Sequence, residues 1–145
     1  MNRSSIQRFD VDLTRFAKRI DVNLGRVVKR TAFRLFDKIV RRTPVDTGRA
    51  RASWDMSVGS PGGHVQLEIP RDRKLSPSQA TSTAMSHRLS DYGIERLEPI
   101  YIYNNVEYIG KLEYGHSRQA PHGMVQVSLA EVETEMNQIL SGIGK

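Results

Sequence analysis

The stretch TPVDTGRARASW, residues 43–54, marks a change from one kind of secondary structure to another. Pro44 disfavours helical backbone at the residue before it, so a preceding helix ends here. Pro44–Gly48 has the chemistry of a turn, because proline fixes φ, aspartate can close an Asx turn and glycine permits positive φ. From Ala52 to Val58, apolar residues alternate with polar ones, which is the pattern of a half-buried strand. The stretch therefore predicts a helix, a loop and a strand, in that order.

Upstream of this loop, apolar residues recur at steps of three and four, which indicates a helix with one buried stripe. Asp10 or Asp12 can cap this helix near Leu13, and Pro44 ends it. A helix of about thirty residues is roughly 45 Å long, more than a domain of this size needs for its own core. Gly25 lies inside it and marks either a bend or a tolerated cost. The stripe consists of Leu13, Phe16, Ile20, Leu24, Val28, Thr31, Leu35 and Ile39.

The face of this helix opposite the stripe is basic, and toward its end it also carries Phe33, Phe36 and Val40. A monomer has no reason to expose apolar side chains at this spacing, so another segment of the chain or a neighbouring subunit covers them. The three residues are therefore candidates for subunit contact, with both alternatives open. The basic residues of interest on this helix are Arg26, Lys29, Arg30 and Arg34.

Two further strands are predicted downstream. After a turn at residues 60–63, Val65, Leu67 and Ile69 alternate with polar residues and form the returning strand of a hairpin, and Ile100–Tyr103 forms a third strand. Residues 70–98 interrupt the sheet pattern with charged and small polar residues. There, Ser76 and Pro77 can start a short helix, with Ala80, Ala84, Leu89 and Met85 as its core-facing residues. This insertion is expected to be a protruding arm, or alternatively an ordinary surface insertion.

The C-terminal third predicts two helices. Asn105 can cap a short helix that carries Tyr108, Ile109 and Leu112, and Gly115 can close it as a left-handed residue. A final amphipathic helix is then predicted by apolar residues at steps of four and three, which are Val125, Leu129, Val132, Met136 and Ile139. The first residues of this segment also fit strand alternation, so the helix could begin late. The expected fold class is α+β, with a small antiparallel sheet, a long N-terminal helix and a C-terminal helix in one domain of residues 1–145.

Charge is distributed unevenly along the chain, whose net charge is +6. Residues 1–51 hold fourteen Lys and Arg against five Asp and Glu, whereas the remainder holds eight against eleven. Such a balance suits contact with nucleic acid, or stacking of unlike surfaces in an assembly. A solvated helix face that keeps the protein in solution explains it equally well.

Several kinds of site are disfavoured by the residues themselves. There is no Cys, which excludes disulfides and thiolate metal sites. Glu113 and His116 have the spacing of a carboxylate-bridged metal pair, but a second matching pair is missing and Gly115 interrupts the helix between them. His116 and His122 lack the partners of a catalytic base. We expect no catalytic residue, metal or cofactor. The N-terminus has no signal-peptide pattern and no run is long enough to span a membrane, which suggests a soluble intracellular product.

Two segments resemble a family of tail-component or neck proteins of long-tailed phages, which help to join head to tail. The first segment is residues 43–54. The second segment is residues 104–124, and it departs from the family pattern at Ile109 and His122. It retains the other residues of the pattern, which are Asn104, Tyr108, Leu112, Glu113, Gly115, Ser117, Ala120, Pro121, Gly123 and Met124. Two motifs in the same order, covering about residues 43–128, are more specific than either alone.

The resemblance implies a structural virion protein without enzymatic activity, assembled in the host cytoplasm. It implies a homo-oligomeric ring between head-closure and tail-tube proteins, with transient contact with the genome in its channel. The alternatives are a tail terminator or tail-completion protein, and, from another class, a basic non-specific DNA-binding protein. The residues it marks are Pro44, Asp46, Thr47, Gly48, Arg49, Trp54, Tyr108, Leu112, Glu113, Gly115, Pro121, Gly123 and Met124. Their loops either dock on a neighbouring subunit, with Arg49 binding a carboxylate such as Glu113, or pin the long helix to the sheet.

Overall fold

Two long helices and a two-stranded sheet form most of the computed structural model, which describes residues 24–60, 62, 68–86 and 98–143. The predicted α+β class is confirmed. The elements, in chain order, are α1 (Leu24–Arg42), α2 (Arg49–Ala52), β1 (Asp55–Val58), a 3-10 turn (Arg71–Arg73), α3 (Pro77–Met85), β2 (Ile100–Tyr103), α4 (Ile109–Glu113) and α5 (Val125–Ile143).

Helix α1 ends at Arg42, directly before the loop that Pro44 predicts. The expected first half of this helix, from Leu13, lies outside the described residues. Its buried face is wider than the predicted stripe, because Phe36 and Val40 are buried alongside Leu35 and Ile39. The reason is that α1 packs against α5 on one side and against α2 and α3 on another. Other segments of the same chain therefore cover Phe36 and Val40.

The strand predicted from Ala52 is shorter than expected. Residues 49–52 form α2, in which the amide of Ala52 donates to the carbonyl of Gly48 at 2.9 Å, and extended backbone begins only at Asp55. Strand β1 pairs antiparallel with β2, with Asp55 opposite Tyr103 and Val58 opposite Ile100. In the proposed returning strand, Val65 and Leu67 lie outside the described residues.

Helix α3 starts as its sequence predicts. Ser76 caps it in a reciprocal capping box with Gln79, and Pro77 occupies its first turn. Ala80 and Ala84 are fully buried, because α3 packs on α2 and α1. This part of the predicted arm therefore does not protrude, whereas residues 87–97 lie outside the described residues.

The C-terminal elements differ from the prediction in two details. Helix α4 has Tyr108 as its N-cap, without a side-chain hydrogen bond to the cap. The side chain of Asn104 makes hydrogen bonds before this helix instead. Its oxygen accepts from the backbone amide of Val106 at 3.0 Å, and its nitrogen donates to the backbone carbonyl of Ala50 at 2.7 Å. Helix α5 begins at Val125, so the alternative of a late start is wrong. Gly115 adopts the predicted left-handed conformation, with φ of 86°.

One apolar core lies between α1, α5, α3 and the sheet. Trp54, the single tryptophan, is 4% exposed and belongs to this core, which agrees with the alternation of apolar and polar residues from Ala52 to Val58. Its indole N–H donates to the Thr43 hydroxyl at 2.7 Å, which in turn donates to the carbonyl of Ile39 at 2.8 Å. The buried residues of the core are Ala32, Leu35, Phe36, Ile39, Val40, Trp54, Met56, Ala84, Ala120, Met124, Val132 and Met136.

Candidate functional site

The two sequence motifs meet at an open cleft of about 690 Å³. Residues 44–50 form one wall, and residues of α4 and the following loop, up to Gln119, form the opposite wall. Residues 68–71 complete the rim. Segments that lie more than fifty residues apart in the sequence thus build one surface.

Hydrogen bonds hold the two walls together. The side-chain amide of Gln119 accepts from the amide of Val45 at 2.9 Å and donates to the carbonyl of Val45 at 3.3 Å. This pair imitates the contact that a neighbouring strand makes with backbone. These two bonds connect the walls at this end of the cleft.

Arg49 is the most enclosed charge beside the cleft, with 12% of its side chain exposed. It binds Glu107 in a bidentate geometry, at 2.8 and 3.1 Å, and also binds Glu68 at 3.0 Å. Its guanidinium lies 5.9 Å from the ring centre of Tyr108. The hydrogen bond with Glu107 raises the pKa of Arg49, and the same bond lowers the pKa of Glu107.

Within the chain, Arg49 does not pair with Glu113, the carboxylate suggested as its partner across a subunit contact. Both carboxylate oxygens of Glu113 are instead used at the start of α5. They accept from the amides of Met124, Val125 and Gln126 at 2.9, 2.8 and 3.0 Å. A carboxylate at this position satisfies amides that have no partner inside the helix, and it interacts favourably with the helix dipole.

Two glycines of the motifs lie where the backbone comes close to other parts of the chain. Gly123 has φ of 81°, and a side chain there would overlap the carbonyl oxygen of Glu113. Gly48 has φ of 92°, and its Cβ would lie 2.8 Å from the Cβ of Leu75. Both glycines therefore favour the interpretation in which the motif loops hold helices against other parts of the same chain.

The remaining motif residues divide between interior and surface. Pro44, Trp54 and Met124 are buried, whereas Asp46 and Pro121 are exposed. Tyr108 and Leu112 are half-buried and line the cleft. Thr47 lies in its wall and accepts from the amide of Arg49 at 3.3 Å. The predicted site residues that share the cleft are Pro44, Asp46, Thr47, Gly48, Arg49, Tyr108 and Leu112.

Arg51 has a role that sequence reasoning missed. Its guanidinium donates to the carbonyls of Thr43, Arg41 and Pro77 at 2.9, 3.1 and 3.3 Å. It thereby closes the C-terminal end of α1 and ties α3 to it. Desolvation by burial, followed by the neighbouring Arg41, lowers the pKa of Arg51.

The basic surface of α1 is partly paired within the chain. Glu135 accepts from Arg34 and Lys38, and Glu131 accepts from Lys38 and Arg42. We call these five side chains the ladder. Hydrogen bonds from Arg42 and from Arg34 are the largest causes that lower the pKa of Glu131 and of Glu135, respectively. The four-residue spacing on both helices could have indicated this pairing.

Of the other basic residues of α1, Arg41 lies in its last turn and pairs with Asp37, and the rest lie nearer its N-terminus. Arg26 and Arg30 are exposed, whereas Lys29 is half-buried and lies 5.9 Å from the ring centre of Phe33. Both His116 and His122 are exposed. Among the described residues, no cluster of His, Asp and Glu has a geometry able to hold a metal ion. None of the described helices combines the length and apolar character that a membrane span requires.

The fold and the cleft define a small α+β protein in which two sequence motifs build one surface. Residues 7–80 match the family described as "Bacteriophage HK97-gp10, putative tail-component". The match covers just over half of the chain, which therefore belongs to this family of phage tail components. It includes the first motif and ends before the second. No curated protein and no solved structure matches the chain. As a phage tail component, the chain is a structural protein of the virion.

Proposed function

We propose that this tail component is a neck protein, which forms a homo-oligomeric ring between the head-closure protein and the tail tube or its terminator. The observation that carries the proposal is the convergence of the two family-like motifs on one open cleft. A structural virion protein acts by contact with its neighbours, and a preformed cleft with a charged rim is suited to such contact. Assembly would take place in the host cytoplasm.

The contacts between the cleft walls support a docking role. Its walls are held by the Gln119–Val45 hydrogen bonds and by the Arg49–Glu107 pair. A surface that is already ordered loses little conformational freedom when it binds. The rim nevertheless keeps exposed charges of both signs, among them Asp46, Arg71 and Arg118.

A ring places each copy in a head-to-tail contact, in which one patch meets a different patch on the next copy. The uneven distribution of charge along the chain suits such a contact. In this arrangement the exposed Arg26 and Arg30 and the half-buried Lys29, near the start of α1, face either the channel or an acidic neighbour. Contact with the genome would then be transient and independent of base sequence.

A second candidate function is that of a tail terminator or tail-completion protein. The description of the family as a tail component favours it. Both candidates are structural rings, but they differ in the step at which assembly stops without the protein.

Deletion of the gene from the phage genome distinguishes them. For a neck protein we expect full heads and finished tails of normal length that remain unjoined, whereas loss of a terminator gives tails of abnormal length. Electron microscopy of lysates measures both. A plasmid copy of the wild-type gene should restore joined particles, as should a Glu133→Lys variant, whose exposed side chain lies outside the cleft. Normal yields of infectious particles without any copy of the gene would refute both candidates.

A further inference from the structure

The loop between α4 and α5, residues 114–123, folds back on itself. Its ends meet where the carboxylate of Glu113 accepts from the amide of Met124 at 2.9 Å. Within the loop, Gly115 lies so close to the carbonyl of Pro121 that a side chain at residue 115 would overlap it. Compact surface loops of this kind, whose ends lie close together, frequently carry function.

This loop and the end of α4 present cations to solvent. Arg118 and Lys111 are exposed, and neither makes an ion pair or a side-chain hydrogen bond within the described part of the chain. His116 and His122 are also exposed and add positive charge when they are protonated. The amide of His116 donates to the carbonyl of Lys111 at 3.1 Å, which places the end of α4 beside the loop. We call Lys111 and residues 114–123 the basic patch.

The carboxylates near the basic patch already have partners. Both oxygens of Glu113 accept from amides at the start of α5. The other carboxylates of this region are bound by arginines, and they are Asp46, Glu68 and Glu107. Lys111 and Arg118, by contrast, have no acidic partner among the described residues. The basic patch therefore fits a surface that carries free carboxylates, because opposite potentials attract across an interface.

An aromatic ring belongs to the same patch. Tyr114 is the exposed large hydrophobic residue of the described part of the chain, with 58% of its surface accessible. Tyrosine and arginine are enriched at contacts between proteins, where they anchor the interface. DNA is a less suitable partner, because its affinity for proteins comes from several phosphate contacts and the patch has only two fixed cations. The composition of the patch thus favours a protein partner.

A second copy of this chain offers the patch little free acid. Within the described ranges, only the carboxylates of Asp72 and Glu133 have no partner. Asp72 stands between Arg71 and Arg73 in the sequence, so its charge is outweighed locally, and Glu133 is a single charge. A different protein is therefore the better source of the acidic surface.

We infer that the basic patch docks on an acidic segment of a different virion protein. The ring of Tyr114 packs against that segment, and Lys111 and Arg118 bind its carboxylates. The inference rests on the proposed function, because the partner is then one of the proteins that flank the ring. Arg118 borders the cleft, whereas Lys111 and Tyr114 do not line it. Contact with a flanking protein thus leaves most of the cleft open to the neighbouring copy.

Photo-cross-linking in joined particles identifies the partner. Tyr114 is replaced by the photoreactive amino acid benzoylphenylalanine, which keeps an aromatic ring at this position, and the variant is supplied to the deletion phage. After irradiation, mass spectrometry maps the cross-linked peptides. We expect one main segment, from a different virion protein, in which Asp and Glu outnumber Lys and Arg. The matched control carries benzoylphenylalanine in place of the exposed Glu133, outside the patch, and should not cross-link to that segment.

Charge reversal covers the case in which the photoreactive variant fails to assemble. Lys111→Glu/Arg118→Glu should lower the yield of joined particles about tenfold or more. Arg73→Glu/Lys74→Glu reverses two exposed charges outside the patch and should leave the yield near that of wild type. Substitution of Lys for Asp or Glu in the acidic segment of the partner should restore the yield of the patch variant. A variant that merely fails to fold could not be restored in this way.

Several outcomes would overturn the inference. They are cross-links to a second copy, to DNA or to a segment without excess acid, no cross-links in joined particles, and equal losses from the two charge reversals. The proposed function can fail separately. An acidic partner segment in a protein remote from the neck would retain the contact and remove the neck assignment. Protein located at the neck whose residue 114 cross-links only to its own copies would retain the assignment and remove the contact.

Discussion

Thr43 connects the end of α1 to the centre of the core. Its hydroxyl accepts from the indole of Trp54 at 2.7 Å and donates to the carbonyl of Ile39 at 2.8 Å, and the residue is fully buried. No water can replace either bond without opening the core. A buried polar group that loses its partner costs more than a bond that is never made.

Removal of the hydroxyl should therefore be costly. We expect Thr43→Val to lower the free energy of unfolding by about 1–3 kcal/mol. In the Thr43→Val/Trp54→Phe double variant the two losses should be less than additive by about 0.5–3 kcal/mol, since the indole donor is then also gone. Chemical denaturation followed by circular dichroism measures these values. The matched control is Thr134→Val, which removes a hydroxyl that also donates to a carbonyl four residues earlier but is exposed. Equal losses at residues 43 and 134 would contradict this account.

Larger truncation tests the same region. Trp54→Ala should cost about 3–5 kcal/mol through lost transfer energy and a cavity. In the unmodified protein, the fluorescence of the single tryptophan should be that of an indole shielded from water. Emission typical of a fully hydrated indole in the folded protein would contradict the burial seen in the structure.

At the scale of single residues, the burial of Trp54 was predictable, whereas the partner of Arg49 was not. Alternation marked Trp54 as buried because strand side chains point to opposite faces. The partner of Arg49 could not be predicted, because Glu107 and Glu113 lie on one short segment and only the turn of α4 decides which of them faces Arg49.

At the scale of elements, the ladder joins α1 and α5 through charges on their partly exposed edges. Lys38 lies between the two carboxylates, at 2.9 Å from Glu131 and 3.3 Å from Glu135. Val132 and Met136 of α5 belong to the apolar core that also holds these two helices together. The ladder therefore supplements the core, and its contribution depends on pH and salt.

The sign of the pH dependence follows from the direction of each pKa shift. Glu131 and Glu135 have a lowered pKa in the folded chain, so their contribution is complete above the ordinary value of 4.5 and is lost as pH falls below it. Lys38 has a raised pKa, so its contribution is complete below 10.5 and is lost at still higher pH. The ladder should thus act fully between these two values.

Replacement of both carboxylates tests this. We expect Glu131→Gln/Glu135→Gln to lower the Tm by about 2–5 °C at neutral pH and low salt, as for a few exposed ion pairs. The difference from wild type should shrink below pH 4.5 and at high ionic strength, where exposed charges are screened. Glu133→Gln, on the exposed face of the same helix, is the matched control. A Tm difference that is independent of both pH and salt would contradict a role of charge.

The predictions for elements succeeded where a local signal was decisive. The signal for the start of α3 is local, because it consists of Ser76, Pro77 and Gln79. The start of α5 was ambiguous, because the carboxylate that caps it comes from Glu113, eleven residues before Met124. The width of the buried face of α1 also depends on distant segments, so periodicity alone placed Phe36 and Val40 on the wrong side.

At the scale of the whole molecule, ion pairs within the chain reduce the free positive charge of its basic N-terminal part. Arg34, Lys38 and Arg42 bind carboxylates of α5 and are less available to nucleic acid than their number implies. Charge alone therefore gives little support to the DNA-binding alternative. The cleft and the exposed Tyr114 are instead features of a protein that contacts proteins.

We propose that this chain forms the ring between head closure and tail tube. A cryo-electron microscopy reconstruction of the neck of intact virions tests it most directly, since the side chains of Trp54 and Tyr114 identify the chain in density. We expect a closed ring of this chain at the head–tail junction, with the cleft of each copy at the boundary with its neighbour. A neck fully accounted for by other proteins, or density for this chain only elsewhere in the particle, would contradict it.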